Sequence, residues 1–347
     1  KSKGKAFGVT SGASAIELAA ACLDLKPNDE IIMPAHTYCA TALPFNRYKA
    51  KIIWADIDLD TMNISCKHVE KLISNKTKAI IAVHLYGLPS NVLQIKKIIK
   101  NKKIILIEDC AQSLGAEINN KKVGNFGDLA IFSFHAQKNI TTLCLGGMLV
   151  VNNKKYQKHI SGLRHNGHRE FFKKKNYWLP AMVDVCEDIK GITPFNFPMT
   201  EVQAAVGSLL IKRLDKLNHK RIKRANLFIK SMKIYPFLHF QRNVKNHKNV
   251  YHLLPARLDA ENLKFDRNKF IKLMSEKYKI KVIVQYYPLY RYDFFKKMNK
   301  KKVSLKNTDL FFDNMVSFPF HEWMDEKEFS YMIKSTHSAL KKLLNVK

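Results

Sequence analysis

The sequence predicts an α/β protein, with a large domain over residues 1–215 built on a mainly parallel, mixed sheet and a smaller α+β domain over residues 216–347. Three observations carry this prediction. Short apolar runs alternate with longer amphipathic stretches as far as Val151, the pattern of strands joined by covering helices. Two of these runs end beside groups able to do chemistry, and open α/β sheets hold ligands at the carboxyl ends of their strands. From Met199 to about Met232 the pattern turns long, basic and helical, which suits a connector into a second lobe.

In chain order, Glu30–Met33, Lys51–Trp54, Ala79–Val83, Ile104–Glu108, Leu129–Phe134 and Met148–Val151 read as strands. Most are almost continuously apolar, as strands covered on both faces are. Ser14–Leu25 reads as a helix between the early strands. Beyond the connector, Val250–Leu258 and Ile280–Tyr287 read as strands, and Arg267–Lys277 and Asp325–Leu344 as helices. No internal repeat or low-complexity linker separates the lobes, so they are expected to pack together.

Composition narrows the class. With 347 residues, 46% of them hydrophobic, the chain can bury a sizeable core. Its formal net charge is +31. The basic residues are scattered over Lys96–Lys103, Lys173–Lys175, Lys212–Arg224 and Lys296–Lys302, without zinc-ligand spacing, an aromatic RNA-binding pattern or a basic heptad region. The expectation is a solvated basic surface that favours anionic substrates, with no specific nucleic-acid partner. Cysteines 22, 39, 66, 110, 144 and 186 show no CxxC spacing and read as buried thiols of a reducing compartment, with no metal site. No run reaches the ~18 apolar residues of a spanning helix, and no signal segment opens the chain, so a soluble cytoplasmic protein is expected.

The most informative text is Ile105-Leu106-Ile107-Glu108-Asp109-Cys110-Ala111-Gln112, followed by Phe132-Ser133-Phe134-His135-Ala136-Gln137-Lys138-Asn139. A strand delivers Asp109 to the sheet edge, and a second strand ends just before Lys138. A carboxylate that can hold a pyridinium nitrogen and a lysine that can form a Schiff base are the pair pyridoxal phosphate chemistry requires. Thr10-Ser11-Gly12-Ala13-Ser14-Ala15 opens a helix whose free amides could seat an anion. Taken singly, each feature has an ordinary explanation. Asp109 could cap a following helix, Gln112 could be a surface amide, Lys138 a solvated lysine, Ser133 and His135 satisfied strand residues, and Tyr38 a loop aromatic.

Taken together the motifs resemble the DegT/DnrJ/EryC1/StrS sugar aminotransferases, which are fold type I pyridoxal phosphate enzymes. The matching text runs in order through the Thr10–Ala15 segment, Pro34-Ala35-His36-Thr37-Tyr38, Asp56-Ile57-Asp58, Val83-His84-Leu85-Tyr86-Gly87, Glu108–Gln112, Gly124-Asn125-Phe126-Gly127-Asp128, Phe132–Thr142, Gly146-Gly147-Met148, Leu163-Arg164-His165-Asn166-Gly167, and Asn196-Phe197 with Glu201-Val202-Gln203-Ala204-Ala205. The resemblance is strong from Val9 to about Asp215 and looser beyond.

The resemblance implies that Lys138 is the Schiff-base lysine and the proton shuttle, that Asp109 pairs with the pyridinium nitrogen, that Gln112 contacts the cofactor's phenolic oxygen, and that Tyr38 covers the ring face. Gly12, Ala13 and Ser133 would hold the phosphate, and Asn196 would complete the phosphate site of the neighbouring subunit in a homodimer. It implies transfer of an amino group from an amino-acid donor, glutamate, to a nucleotide-linked keto-sugar in polysaccharide or glycoconjugate synthesis. Arg164, His165 and His252 are candidates to meet the substrate's phosphates. The dehydratase branch of the family carries histidine in place of the lysine, so Lys138 points to transamination.

Several positions depart from the family pattern. Ala13 replaces a common threonine, Leu145 a carboxylate, Pro198 an arginine and Gln285 a histidine. Lys1 lies only a few residues before the phosphate loop and no initiator Met is present, so the numbered chain is expected to lack its natural beginning. These features motivate an alternative, a catalytically impaired member acting as a binding or regulatory subunit.

Overall fold

The computed structural model describes residues 4–168, 191–259, 263–298 and 303–345. Cys186 and the Lys173–Lys175 run lie outside the described residues. The first lobe is built on a seven-stranded sheet of β1 (Lys5–Val9), β2 (Glu30–Pro34), β3 (Lys51–Ala55), β4 (Thr77–Val83), β5 (Ile105–Asp109), β8 (Leu129–Ser133) and β9 (Gly147–Val151), in the order β1-β9-β8-β5-β4-β2-β3. Strands β3, β2, β4, β5 and β8 run parallel, while β9 is antiparallel to both of its neighbours. The mainly parallel mixed sheet expected from the apolar runs is therefore present. A short ribbon of β6 (Glu117–Ile118) and β7 (Lys121–Lys122) pairs with β11 (His247–Lys248) beside it.

Helix α1 (Gly12–Cys22) shows how sequence sets local structure. Ser11 adopts an extended backbone, and its hydroxyl accepts from the Ser14 amide, so the helix starts at Gly12, two residues earlier than its apolar periodicity suggests. Its alanine-rich body is buried with Phe7, Val9, Ile131, Leu149 and Val151 on one face of the sheet. Small side chains let the helix approach the strands closely. Helices α3 (Cys66–Leu72) and α4 (Val92–Ile98) add Val69, Val92 and Ile95 to a second cluster with Ile32, Ile80, Ala82 and Leu106. Helices α2 (Leu43–Arg47) and α5 (Lys154–Arg164) complete this part of the chain.

Helix α6 (Glu201–Leu210) and helix α7 (Leu214–Met232), joined by a short 3₁₀ turn, form the basic helical connector. A capping box at Thr200 and Gln203 sets its start. The carboxyl-terminal lobe packs α7, α8 (Arg267–Glu276) and α11 (Glu326–Leu344) on an antiparallel sheet of β10 (Leu238–Phe240), β12 (Leu254–Leu258) and β13 (Met315–Phe318). Its core centres on Phe228, Phe270, Phe318 and Leu340. Between β12 and β13, the stretch with α9 (Asp293–Met298) and α10 (Lys306–Asn314) returns Leu289, Phe295 and Phe311 to the first core.

Two predicted strands are corrected. Val250–Leu258 is a strand only from Leu254, because Val250 and Leu253 donate instead to the carbonyls of Gly87 and Tyr86, and Arg221 takes the carbonyls of Tyr251 and His252. Ile280–Tyr287 keeps a single bridge, Ile283 to Ser317, before turning toward the first lobe. The cysteines are also less uniform than expected. Of those described, Cys110 is buried, Cys22, Cys39 and Cys66 are intermediate, and Cys144 is exposed.

Candidate cofactor site

The site lies along the carboxyl ends of the parallel strands. Asp109 ends β5, between β4 and β8, and is buried. No helix follows it, so its carboxylate caps none; Oδ1 accepts from the Ala111 amide at 3.1 Å and Oδ2 from the Thr41 hydroxyl at 2.9 Å. Those two bonds fix its orientation. Glu108 points into a second polar cluster, where it accepts from the amides of Gly124, Phe126 and Gly127 and pairs with His84 at 3.1 Å. Burial alone would raise the Glu108 carboxyl, but His84 and the Gly127 and Gly124 amides outweigh it and hold the group below the ordinary carboxylate range. His84 Nδ1 lies 2.9 Å from the Ser90 amide and can only accept from it, so Nε2 donates to Glu108. His84, Glu108 and Cys110 lie close enough to suggest a metal cage. Both His84 nitrogens and both Glu108 oxygens are already bonded, so the cluster braces the strand and offers no free ligand atom on either residue.

Lys138 sits on the hairpin between antiparallel β8 and β9. Phe134 donates to the Gly146 carbonyl, Ala136 to that of Cys144, and Thr142 back to that of Phe134, which holds the stems together. The Lys138 amide closes a turn on the His135 carbonyl at 2.8 Å. Burial lowers the pKa of the lysine, and the nearby Asp109 charge opposes that shift. Among the described residues, none makes a hydrogen bond or ion pair to its Nζ.

Ser133 closes the other side. A Cβ placed on Gly12 would lie 2.9 Å from Ser133 Cβ and 3.2 Å from its Oγ, and one on Gly147 would lie 2.4 Å from the Ser11 carbonyl. Bare backbone is needed for the start of α1 to meet the ends of β8 and β9. Gly12 and Ala13 occupy the first two helical positions, and their amides have no hydrogen-bond partner among the described residues. With the Ser133 hydroxyl they form a seat for an anion at a helix N-terminus.

Gln112 is buried behind Asp109. Its Oε1 accepts from the Tyr86 amide at 2.8 Å, and its Nε2 donates to the Tyr286 hydroxyl at 3.0 Å. Tyr286 stacks at 8° to Tyr86, lies 6.0 Å from the Tyr38 ring, and shares this cluster with His36, which bonds the Tyr86 hydroxyl at 2.7 Å. Burial pulls the His36 pKa down to about 3. Tyr38 itself is 58% exposed. Asp109, Gln112, Lys138, Ser133, Gly12 and Ala13 thus gather at one edge of the sheet, with Tyr38 at its mouth. Asn196 does not join them by any described bond. It is exposed, on a segment tied to β1 through Thr10 and Phe197 and to α5 through Leu163 and Phe195.

His252 cannot act as a phosphate-binding cation. It is buried, and desolvation together with the Lys138 and Arg221 charges drives its pKa well below the ordinary histidine value. Arg164 donates to the Gly8 carbonyl. Leu145 is 51% exposed on the hairpin, and Pro198 bridges to Val9. Sequence reasoning passed over Thr41, which aligns Asp109, and Tyr286, which bonds Gln112. Tyr286 is legible in the sequence only as the neighbour of Gln285; Thr41 carries no signal, being one small polar residue in the 3₁₀ turn Cys39–Thr41.

This sheet edge, with an acid on one strand end and a lysine on the adjoining hairpin, defines an aminotransferase of fold type I. The chain belongs to the DegT/DnrJ/EryC1/StrS aminotransferase family, whose sequence profile matches residues 2–337. It is 30% identical to an uncharacterized protein of Methanocaldococcus jannaschii over 98% of this chain and 86% of that one. It is 34% identical to GDP-perosamine synthase of Escherichia coli O157:H7, over 70% of this chain and 62% of the synthase. Among solved structures, Helicobacter pylori PseC, an aminotransferase involved in the biosynthesis of pseudoaminic acid, superposes with a TM-score of 0.85 at 27% identity, covering 97% of this chain and 87% of that one.

Proposed function

We propose that the protein is a pyridoxal phosphate-dependent aminotransferase that moves an amino group from glutamate to a nucleotide-linked keto-sugar, serving polysaccharide or related glycoconjugate synthesis. The observation that carries this reading is the convergence of Asp109, Lys138 and the Gly12–Ser133 anion seat on one sheet edge. The donor set fits the cofactor: two unpartnered helix-start amides and a hydroxyl for a phosphate, a fixed carboxylate for a ring nitrogen, an amide for a ring oxygen, and a lysine amine. When bound, pyridoxal phosphate supplies the electron sink that lets an amino group leave one carbon and join another.

The residues of this chain do the rest. Gly12, Ala13 and Ser133 hold the phosphate, and Asp109, oriented by Thr41 and Ala111, holds the ring nitrogen. Lys138 Nζ would anchor the cofactor and serve as the group that moves the proton between the two carbons exchanging the amine. Its lowered pKa makes the neutral, basic amine more accessible at the pH of the cell. Gln112, held between Tyr86 and Tyr286, positions the ring oxygen. Tyr38 covers the outer face.

The functional unit is a cytoplasmic homodimer in which Asn196 reaches the partner's phosphate seat. Support comes from Val202, Leu209 and Ile211, exposed by 64%, 64% and 43% on the connector. No helix among the described residues is long and apolar enough to cross a membrane.

The test is the absorption spectrum of the purified protein with pyridoxal phosphate, before and after glutamate, beside Lys138→Ala. A cofactor band that shifts with glutamate in the wild type, and is altered from the outset in the variant, is expected. Absence of cofactor binding in both proteins would refute the enzyme reading and favour a binding or regulatory subunit.

A further inference from the structure

Asn139, the residue after Lys138, is buried and bonded on both sides of its amide. Its Nδ2 donates to Asn218 Oδ1 at 3.0 Å, and its Oδ1 lies 3.2 Å from His252 Nδ1. Asn218, on α7, is fully buried, and its Nδ2 donates to the Leu114 carbonyl at 2.9 Å. One side chain of the connector helix therefore grips both the segment after Gln112 and the residue after Lys138. Gly115 makes room for it, since a Cβ there would lie 2.5 Å from Asn218 Nδ2. His252 is held from the far side by Arg221, whose guanidinium takes its carbonyl at 2.6 Å and pairs with Glu322.

The direction of every bond in this chain is fixed at one end. A backbone carbonyl can only accept, so Leu114 forces the Asn218 amide nitrogen toward it and leaves Asn218 Oδ1 to accept from Asn139. Asn139 Oδ1 is then an acceptor as well, and His252 Nδ1 must carry the proton. Burial between the Lys138 and Arg221 charges keeps the ring uncharged, leaving Nε2 without a proton.

We propose that Asn218, Asn139 and His252 form a one-way hydrogen-bond relay that positions Lys138 against Asp109 and fixes the His252 proton on Nδ1. The proposal rests on the reading of Lys138 as the cofactor-capturing lysine. These are positioning residues, acting through Lys138.

Two measurements test it on the whole protein. In cofactor-free protein with ¹⁵N-labelled histidine, NMR should show His252, assigned by its loss in His252→Gln, protonated on Nδ1 alone at neutral pH. The opposite tautomer, or a doubly protonated ring, overturns the relay. Capture of pyridoxal phosphate on Lys138 is then followed as mass gained after borohydride reduction. Asn218→Ala and His252→Ala should slow capture about tenfold, the effect of losing one positioning hydrogen bond. Glutamine at 252 supplies an N–H to Asn139 and should restore most of the rate. Normal capture by the wild type with unchanged rates in the variants overturns the positioning role alone. A wild type that captures no cofactor while His252 shows the expected tautomer overturns the functional reading and, with it, the positioning role.

Discussion

Replacing Gly12 with alanine separates helix stability from phosphate binding. The new Cβ would sit 2.9 Å from Ser133 Cβ, and Ser133 cannot retreat freely because β8 is locked in register with Gly147 of β9. Overpacking of this kind costs about 1–3 kcal/mol, and alanine returns up to about 1 kcal/mol of helix propensity, so global stability should fall by about 3 kcal/mol at most. The Ser133 hydroxyl, pushed aside, would lose the bond to the phosphate proposed for it. A hydrogen bond to a charged group is worth about 1.5–3 kcal/mol, which predicts pyridoxal phosphate binding weaker by roughly 10- to 150-fold. Spectroscopic titration of the cofactor-free protein measures the affinity, and urea unfolding measures the stability in parallel. Unchanged affinity together with lowered stability would refute the assignment of this helix start as the phosphate seat.

Asp109→Asn keeps one acceptor, for the Ala111 amide, places an NH2 that the Thr41 hydroxyl can accept from, and removes the charge; the cofactor should still bind, while its spectral response to glutamate slows about 10²-fold, read by stopped flow. Glu108→Gln sets an amide N–H against donors that now meet a carboxylate, and should cost about 3 kcal/mol or more of stability in urea unfolding. Because burial holds His36 near 3 while the unfolded ring takes a proton near 6.5, the unfolded state binds more protons between those values. Stability should therefore fall as pH drops from about 6.5 toward 5, by up to about 1.4 kcal/mol per unit for this group, and the slope should lessen in His36→Phe. Leu209→Glu on the exposed connector face should turn a dimer into a monomer by light scattering, whereas a wild type that is already monomeric contradicts the dimer proposal.

Much of this arrangement was legible because it is local. The strands carrying Asp109 and Ser133 are continuous apolar runs, whereas the start of α1 reads two residues late, at Ser14, because the Ser11 hydroxyl and not periodicity sets it. Strand β1 was missed: five residues, Lys5 to Val9, at the start of the chain give little pattern to read. The predicted strand before Leu254 failed for a different reason. Val250, Leu253 and His252 bond to Gly87, Tyr86 and Asn139, all distant in sequence, the Tyr251 amide is taken by the nearby Asn249 side chain, and Arg221 outcompetes a ladder for two carbonyls. The same holds at the site. Lys138 and Asp109 stand in recognisable text, but Thr41, Tyr286 and Asn218 reach it from 68, 174 and 79 residues away from the partners they bond, Asp109, Gln112 and Asn139. Only the fold brings them together.

The hairpin that bears Lys138 has a consequence for how such a protein can diversify. Its two stems continue neighbouring strands of one sheet and are tied by backbone bonds, so the exposed side chains of Leu143, Cys144 and Leu145 on the returning stem can change in chemistry without altering strand order or the turn that holds the lysine. A carboxylate exchanged for Leu145 changes what this stem offers to an incoming molecule and leaves Lys138, the proposed cofactor anchor, where it was. New preferences can thus arise by editing a few exposed residues while the inherited core is kept.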